Sequence, residues 1–79
     1  MFYVYILCCI SDPDRFYIGF TADLQRRLHD HNAKQVPHTA KYAPWKLKTY
    51  VSFSDEKQAR DFERYLKTAS GRAFAKKRL

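Results

Sequence analysis

The sequence predicts a compact α+β domain, a small three-stranded antiparallel sheet flanked by helices in the order β-β-α-β-α(-α). Three observations predict it. Residues 2–9 and 47–53 are rich in β-branched and aromatic side chains, a composition suited to a pleated, half-buried surface. The segments after Thr21 and Ser54 carry early acidic residues and then repeat apolar side chains at helical spacing, the pattern of an amphipathic helix with a start signal. Finally, 79 residues make one domain, 1–79, and so short a domain buries only about 60% of its unfolded surface. Its core must be dense, and six Phe, six Tyr and one Trp supply it, since each aromatic buries a large area.

In the first strand Phe2, Val4, Ile6 and Cys8 share one face, with Tyr3, Tyr5, Leu7 and Cys9 on the other. Ser11-Asp12-Pro13-Asp14 supplies side-chain acceptors and a fixed φ for a turn, so residues 16–21 return as an antiparallel partner. Tyr17 and Gly19 then share a face, opposite Phe16 and Ile18, and a suitable register puts Tyr5 and Tyr17 on the same side. Thr21 is the expected N-cap of a helix over 22–32, with Asp23 in the favoured first turn. At 100° per residue Leu24 and Leu28 form its packed stripe; Arg26 and His29 lie on the wet side, while Arg27 and His31 fall at the margin.

Residues 33–44 hold two prolines without clear periodicity and read as a surface loop, anchored at its end by Trp45. Residues 47–53 form a third strand, with Leu47, Thr49, Val51 and Phe53 expected to face one way. Ser54, Asp55 and Glu56 start a second helix that runs to about residue 69, where Ser70-Gly71 supplies a stop. Its apolar stripe is Ala59, Phe62, Leu66 and Ala69. Glu63 sits on the edge of that stripe, where a carboxylate gains nothing without a partner. The tail "RAFAKKRL" adds a short helix that docks Ala73 and Phe74 and leaves Lys76, Lys77 and Arg78 in solvent.

Fifteen Lys and Arg against eight acidic residues leave a net charge of +7, a field that favours polyanions, nucleic acid or an anionic membrane surface. Charge alone does not choose between them. No apolar run approaches the ~18 residues of a bilayer span, and the start lacks a secretory leader pattern, so a cytoplasmic protein is expected. Cys8 and Cys9 are adjacent and project to opposite faces, which disfavours a bridge. Nothing resembles paired Cys/His metal spacing, leaving two reduced thiols.

Tyr3-Val4-Tyr5 on the first strand and Tyr17-Ile18-Gly19 on the second are followed by Thr21, Leu24, Arg27, His31 and, much later, Glu63. This series resembles the GIY-YIG nuclease family over nearly the whole chain, most of all the small stand-alone bacterial GIY-YIG domain proteins. The same domain occurs in a nucleotide-excision repair nuclease subunit, in homing endonucleases and in a structure-specific nuclease that cuts branched DNA. The resemblance implies a GIY-YIG endonuclease-like fold and a metal-dependent endonuclease that hydrolyses DNA phosphodiesters in repair or recombination, directed by structure or damage rather than sequence. It implies one divalent ion, Mg²⁺ or Mn²⁺, weakly bound without substrate.

Position by position, the resemblance assigns Tyr5 to accept or position the proton of the attacking water, with Tyr17 and His31 assisting. Arg27 holds the scissile phosphate and Glu63 holds the metal. Gly19, Arg26, His38, Lys41 and Lys67 are expected to bind substrate. For Gly19 the expected reason is that a missing side chain lets a backbone or phosphate approach, a bulge before the helix being the other. Hydrolysis needs an activated water, a cation against the growing phosphoryl charge and stabilisation of the leaving oxygen. A tyrosine near its ordinary pKa of ~10 needs neighbouring positive charge to act as a base.

The sequence departs from the family where the first triplet lacks its glycine and where no asparagine follows Glu63. With no room for a second DNA-binding domain, selectivity would come from nucleic-acid shape or a repair-protein partner. DNA is the expected partner, RNA stays open, and no membrane partner is expected. Two other readings use the same residues: a nucleic-acid-binding module of this fold with weak or no catalysis, and an interaction domain on a larger repair assembly.

Overall fold

The run Phe2–Cys9 forms β1, the central strand of the sheet in the computed structural model, which describes residues 1–79. It pairs antiparallel with β2 (Phe16–Thr21) on one side and β3 (Trp45–Phe53) on the other, in the order β2-β1-β3. Both faces of β1 are covered, so Val4 to Cys9 are all buried. On one face Val4 and Ile6 pack with Ala59 and Leu66, flanked by Phe20, Phe53 and Phe62. On the other, Tyr5, Leu7 and Cys9 pack with Trp45, Leu24 and Leu28. Fully burying one such Val, Leu or Ile contributes about 1.5–3 kcal/mol. Both cysteines are free and buried.

The helices around this sheet differ from expectation in ways that have local causes. Thr21 does not cap the first helix; its hydroxyl accepts from the Asp23 amide at 3.0 Å. Asp23 is the cap, accepting from the Arg26 amide at 3.1 Å, so α1 runs Leu24–Asn32. The segment expected as plain loop contains a one-turn helix, α2 (Pro37–Ala40), with proline in its first turn, where its missing N–H costs nothing. Asn32 fastens α1 to the sheet through its side-chain amide, donating to the Trp45 carbonyl at 2.9 Å and accepting from the Trp45 amide at 2.6 Å.

β3 begins two residues earlier than its composition suggested, and it does not present one face throughout. Ile6 pairs with Thr49 but Leu7 pairs with Leu47, so Lys48 is the extra residue of a β-bulge. The bulge turns Leu47 and Trp45 toward the Tyr5 side, while Phe53 stays on the Val4 side. This corrects the expectation that Leu47 and Phe53 face the same way.

The second long helix divides in two. α3 (Glu56–Leu66) starts at Asp55, whose carboxylate accepts from the Gln58 amide at 2.8 Å. α4 (Ala69–Arg78) starts at Thr68, whose hydroxyl accepts from the Gly71 amide at 3.0 Å. Gly71 therefore lies inside a helix and stops nothing. A Cβ there would collide with the Tyr65 carbonyl, so glycine is what lets α4 cross close over the end of α3. Ala75 and Leu79 meet the core; Ala69 and Ala73, expected to pack, are exposed. Phe74 meets Phe62 and Tyr65, with ring centroids 6.4 and 6.1 Å away.

Candidate active site

The register that pairs Tyr5 with Gly19 and Leu7 with Tyr17 places both tyrosines on the α1 side of the sheet. Their ring centroids are 6.4 Å apart, and each faces His31 of α1, at 5.7 Å from Tyr5 and 5.0 Å from Tyr17. Gly19 makes this possible. A Cβ at Gly19 would strike the Tyr5 hydroxyl and ring, so the missing side chain makes room for the Tyr5 phenol. Gly19 is itself buried, and its close neighbour is the Tyr5 side chain.

His31 was expected at the margin of α1 and is instead fully buried, at 0% exposure. Its Nε2 lies 2.8 Å from the Tyr5 hydroxyl and its Nδ1 lies 2.6 Å from the hydroxyl of Thr39, also fully buried. We assign the tautomer on the third bond in the chain. Thr39 donates its single hydroxyl proton to the Val36 carbonyl at 3.3 Å, so it accepts from His31, and the imidazole proton sits on Nδ1. Nε2 is left bare, and Tyr5 donates to it. Burial first, and the Arg27 charge second, hold His31 below the ordinary imidazole pKa, so the ring is neutral at pH 7 and Nε2 is open to a proton.

Thr39 is the residue that sequence reasoning missed. Its own carbonyl also accepts from the Trp45 indole at 3.0 Å, which fixes α2 against the sheet. The available signal was Pro37 after the apolar Val36, a helix-start pattern that the loop reading passed over.

Arg27 is half-buried and its guanidinium lies beside the Tyr5 phenol, a contact that raises the Arg27 pKa. Its Nε is buried without a hydrogen-bond partner, so a donor is held ready in the cluster at the cost of desolvating it. Arg26, one residue away, is exposed; the two arginines are not equivalent. For Tyr5, burial outweighs the Arg27 contact, and the phenol pKa is raised. Neighbouring positive charge alone does not make it a base in the free protein, which makes the bare His31 Nε2 the group that can take its proton.

Glu63 comes from α3, on the opposite side of the sheet, yet its charge reaches Tyr5 and adds to the rise in the phenol pKa. Its side chain is 21% exposed and accepts from Lys67 at 3.2 Å, the partner that a carboxylate on a stripe edge required. No group of three or more His, Cys, Asp or Glu gathers anywhere in the chain. A single accessible carboxylate fits a hard cation of the Mg²⁺ type, which keeps several waters and takes substrate phosphate oxygens; it does not fit a site of protein ligands alone. Of the other expected substrate residues, His38 and Lys41 are exposed around α2, with Lys41 5.3 Å from the centre of the Tyr42 ring. Neither enters the hydrogen-bonded cluster.

Residues 1–78 match the family model described as the GIY-YIG catalytic domain. The chain belongs to the GIY-YIG family. As a GIY-YIG domain it carries the two triplets as Tyr3-Val4-Tyr5 and Tyr17-Ile18-Gly19, on adjacent strands as found above. It is similar to two bacterial UPF0213 proteins. That of Lacticaseibacillus paracasei is 36% identical over 67 residues, 84% of this chain and 73% of the relative; that of Streptococcus pneumoniae is 36% identical over 66 residues, 82% of this chain and 65% of the relative. It is also similar to a structure-specific endonuclease subunit SLX1 homolog of Giardia intestinalis, 39% identical over 57 residues, 67% of this chain. The match spans only 16% of that protein's length.

Proposed function

We propose that this GIY-YIG domain is a divalent-metal-dependent endonuclease acting on branched, nicked or otherwise irregular DNA. The observation that carries the reading is the buried chain of hydrogen bonds from Tyr5 through His31 to Thr39, with Arg27 beside it. A structural tyrosine does not require a neutral imidazole with its bare nitrogen aimed at the phenol. The structure-specific endonuclease relative supports DNA shape as the selected feature, and the net charge of +7 supports a polyanionic substrate. Two free, adjacent thiols agree with a reducing compartment such as the cytoplasm.

Tyr5 orients the attacking water and takes its proton while passing its own to His31 Nε2. Thr39 keeps His31 in the tautomer that can receive it, as general-base catalysis requires. The water oxygen bonds to phosphorus, the bond to the leaving oxygen breaks, and the leaving oxygen takes a proton from solvent. Arg27, half-buried beside Tyr5, sets its guanidinium charge against the phosphoryl oxygens, whose negative charge grows in the transition state. Glu63 would hold Mg²⁺ or Mn²⁺, which supplies charge neutralisation at the phosphate and the leaving oxygen.

The reading is tested by incubating the protein with supercoiled, single-stranded, flapped and four-way-junction DNA in Mg²⁺, Mn²⁺ or EDTA, alongside Arg27→Ala and Glu63→Ala. Metal-dependent cutting that falls ~10²-fold or more in both variants supports it. Equal inertness of all three proteins, with binding retained, gives the site to a binding module instead.

A further inference from the structure

The positive charge of the chain is not spread evenly over its surface. On the outer side of α3, Lys57, Arg60 and Arg64 are all engaged by Asp61 or Glu56 at 2.7–3.4 Å. That face is electrically self-satisfied. On α4, Arg72 and Lys76 have no carboxylate partner, and they stand at i and i+4, on one helix face and about 6 Å apart along the axis. They border a groove of about 770 Å³ between α4 and the sheet. Lys48, at the bulge of β3 and bonded to the Leu79 carbonyl, and Lys67, paired with Glu63, also line it, with Asp14 the one acid among its lining residues. The floor is apolar, made by Ile6, Ile18 and Ala75, and Phe16 lines its mouth with half its surface, 51%, in solvent.

Two features join this groove to the site above. Tyr17 lines it, and Lys67 at its rim bonds Glu63 at 3.2 Å. The groove therefore runs from Tyr17 and from Lys67, the partner of Glu63, along α4. Its volume is that of a small-ligand site, too small for a duplex. A row of cations, an apolar floor and an exposed aromatic ring form the combination that holds a single strand by its phosphates and stacks its bases.

We propose that this groove binds unpaired nucleic acid, a short single-stranded segment that passes over the edge strand β2 at Tyr17 to join the strand whose phosphate lies at Arg27. The segment sets its phosphates on Arg72 and Lys76 and stacks a base on Phe16. This deepens the nuclease reading and rests on it for the direction of the strand: a flap or a gapped arm is selected because only an unpaired arm enters the groove.

The test is fluorescence anisotropy of a labelled oligo-dT and of a blunt duplex of equal length, in EDTA so that no cutting occurs, over a salt series. Proteins compared are wild type, Arg72→Ala/Lys76→Ala, Phe16→Ala, and Lys57→Ala/Arg64→Ala, which removes the same two cations from the self-satisfied face. All these positions are exposed, so the fold tolerates them. The groove variants are expected to lose ~10-fold or more on oligo-dT and much less on duplex. In the double groove variant the salt slope should fall by about 1.4, two phosphate contacts at ~0.7 each on a single strand. The Lys57/Arg64 variant is expected to lose less on oligo-dT than the double groove variant.

Equal losses in both double variants, or oligo-dT binding indifferent to Arg72, Lys76 and Phe16, overturns the groove. Cutting that depends on Arg27 and Glu63 would leave the nuclease reading standing in that case. Groove-dependent oligo-dT binding by a protein that leaves the DNA panel uncut in Mg²⁺ and Mn²⁺ upholds the groove and removes the nuclease.

Discussion

Replacing Thr39 by valine removes one hydroxyl from the buried chain and leaves the shape nearly unchanged. In the native chain His31 Nδ1 donates to Thr39 at 2.6 Å and leaves Nε2 free for the Tyr5 proton at 2.8 Å. Valine leaves the Nδ1 proton without an acceptor, and a buried unsatisfied donor costs about 1–3 kcal/mol. The ring escapes this cost by moving its proton to Nε2, which then faces Tyr5 as a donor and receives nothing. At 1.4 kcal/mol per tenfold, the productive tautomer falls about 5- to 100-fold or more, and single-turnover cleavage of flapped DNA should fall with it. Thermal unfolding shows that the variant is folded, and the ¹⁵N shifts of His31 report which nitrogen carries the proton. Thr39→Ser keeps the hydroxyl and should restore both readings toward wild type. A folded Thr39→Val protein that cuts at the wild-type rate with Nε2 still bare would refute the reasoning.

Two further outcomes follow from the same cluster. His31 has a folded pKa below its unfolded value near 6.5, so in acid the unfolded chain binds more protons; stability is full above about pH 6.5 and declines as pH falls through that value. Denaturant unfolding at pH 7.5 and 5.5 should show this decline in wild type, and a His31→Gln variant should lack that part of it. Gly19→Ala forces a Cβ against the Tyr5 phenol; overpacking of this kind costs about 1–3 kcal/mol, and displacement of the phenol should lower cleavage more than DNA binding, as measured by comparing single-turnover rates with anisotropy.

The parts of the molecule legible in its sequence are those set by neighbours in the chain. β1 and β2 were legible because a dense apolar run, a Ser-Asp-Pro-Asp turn and a second run leave one simple pairing. Arg27 could be told from Arg26 because helical periodicity separates adjacent positions by 100°, and the exposed Arg26 bears this out. What was not legible depends on contacts between distant segments. The bulge at Lys48 turns Leu47 away from the face of Phe53, and nothing in "LKTYVSF" announces the change of register. Gly71 looks like a stop, but its reason is the Tyr65 carbonyl across a helix crossing. Gly19 and Thr39 are of the same kind: one is empty so that Tyr5 fits, and the other is polar because His31, eight residues earlier, needs an acceptor.

The central claim is that the Tyr5 hydroxyl works on the attacking water, and Tyr5→Phe tests it most directly. The substitution removes one oxygen, keeps the ring that packs with Leu7, Cys9 and Trp45, and takes the phenol oxygen from His31 and Arg27. With Mn²⁺ and flapped DNA at saturating protein, the single-turnover rate should fall ~10²-fold or more, the span of a lost general base, while anisotropy shows DNA binding within about twofold of wild type. Cleavage at the wild-type rate by a folded Tyr5→Phe protein would contradict the account.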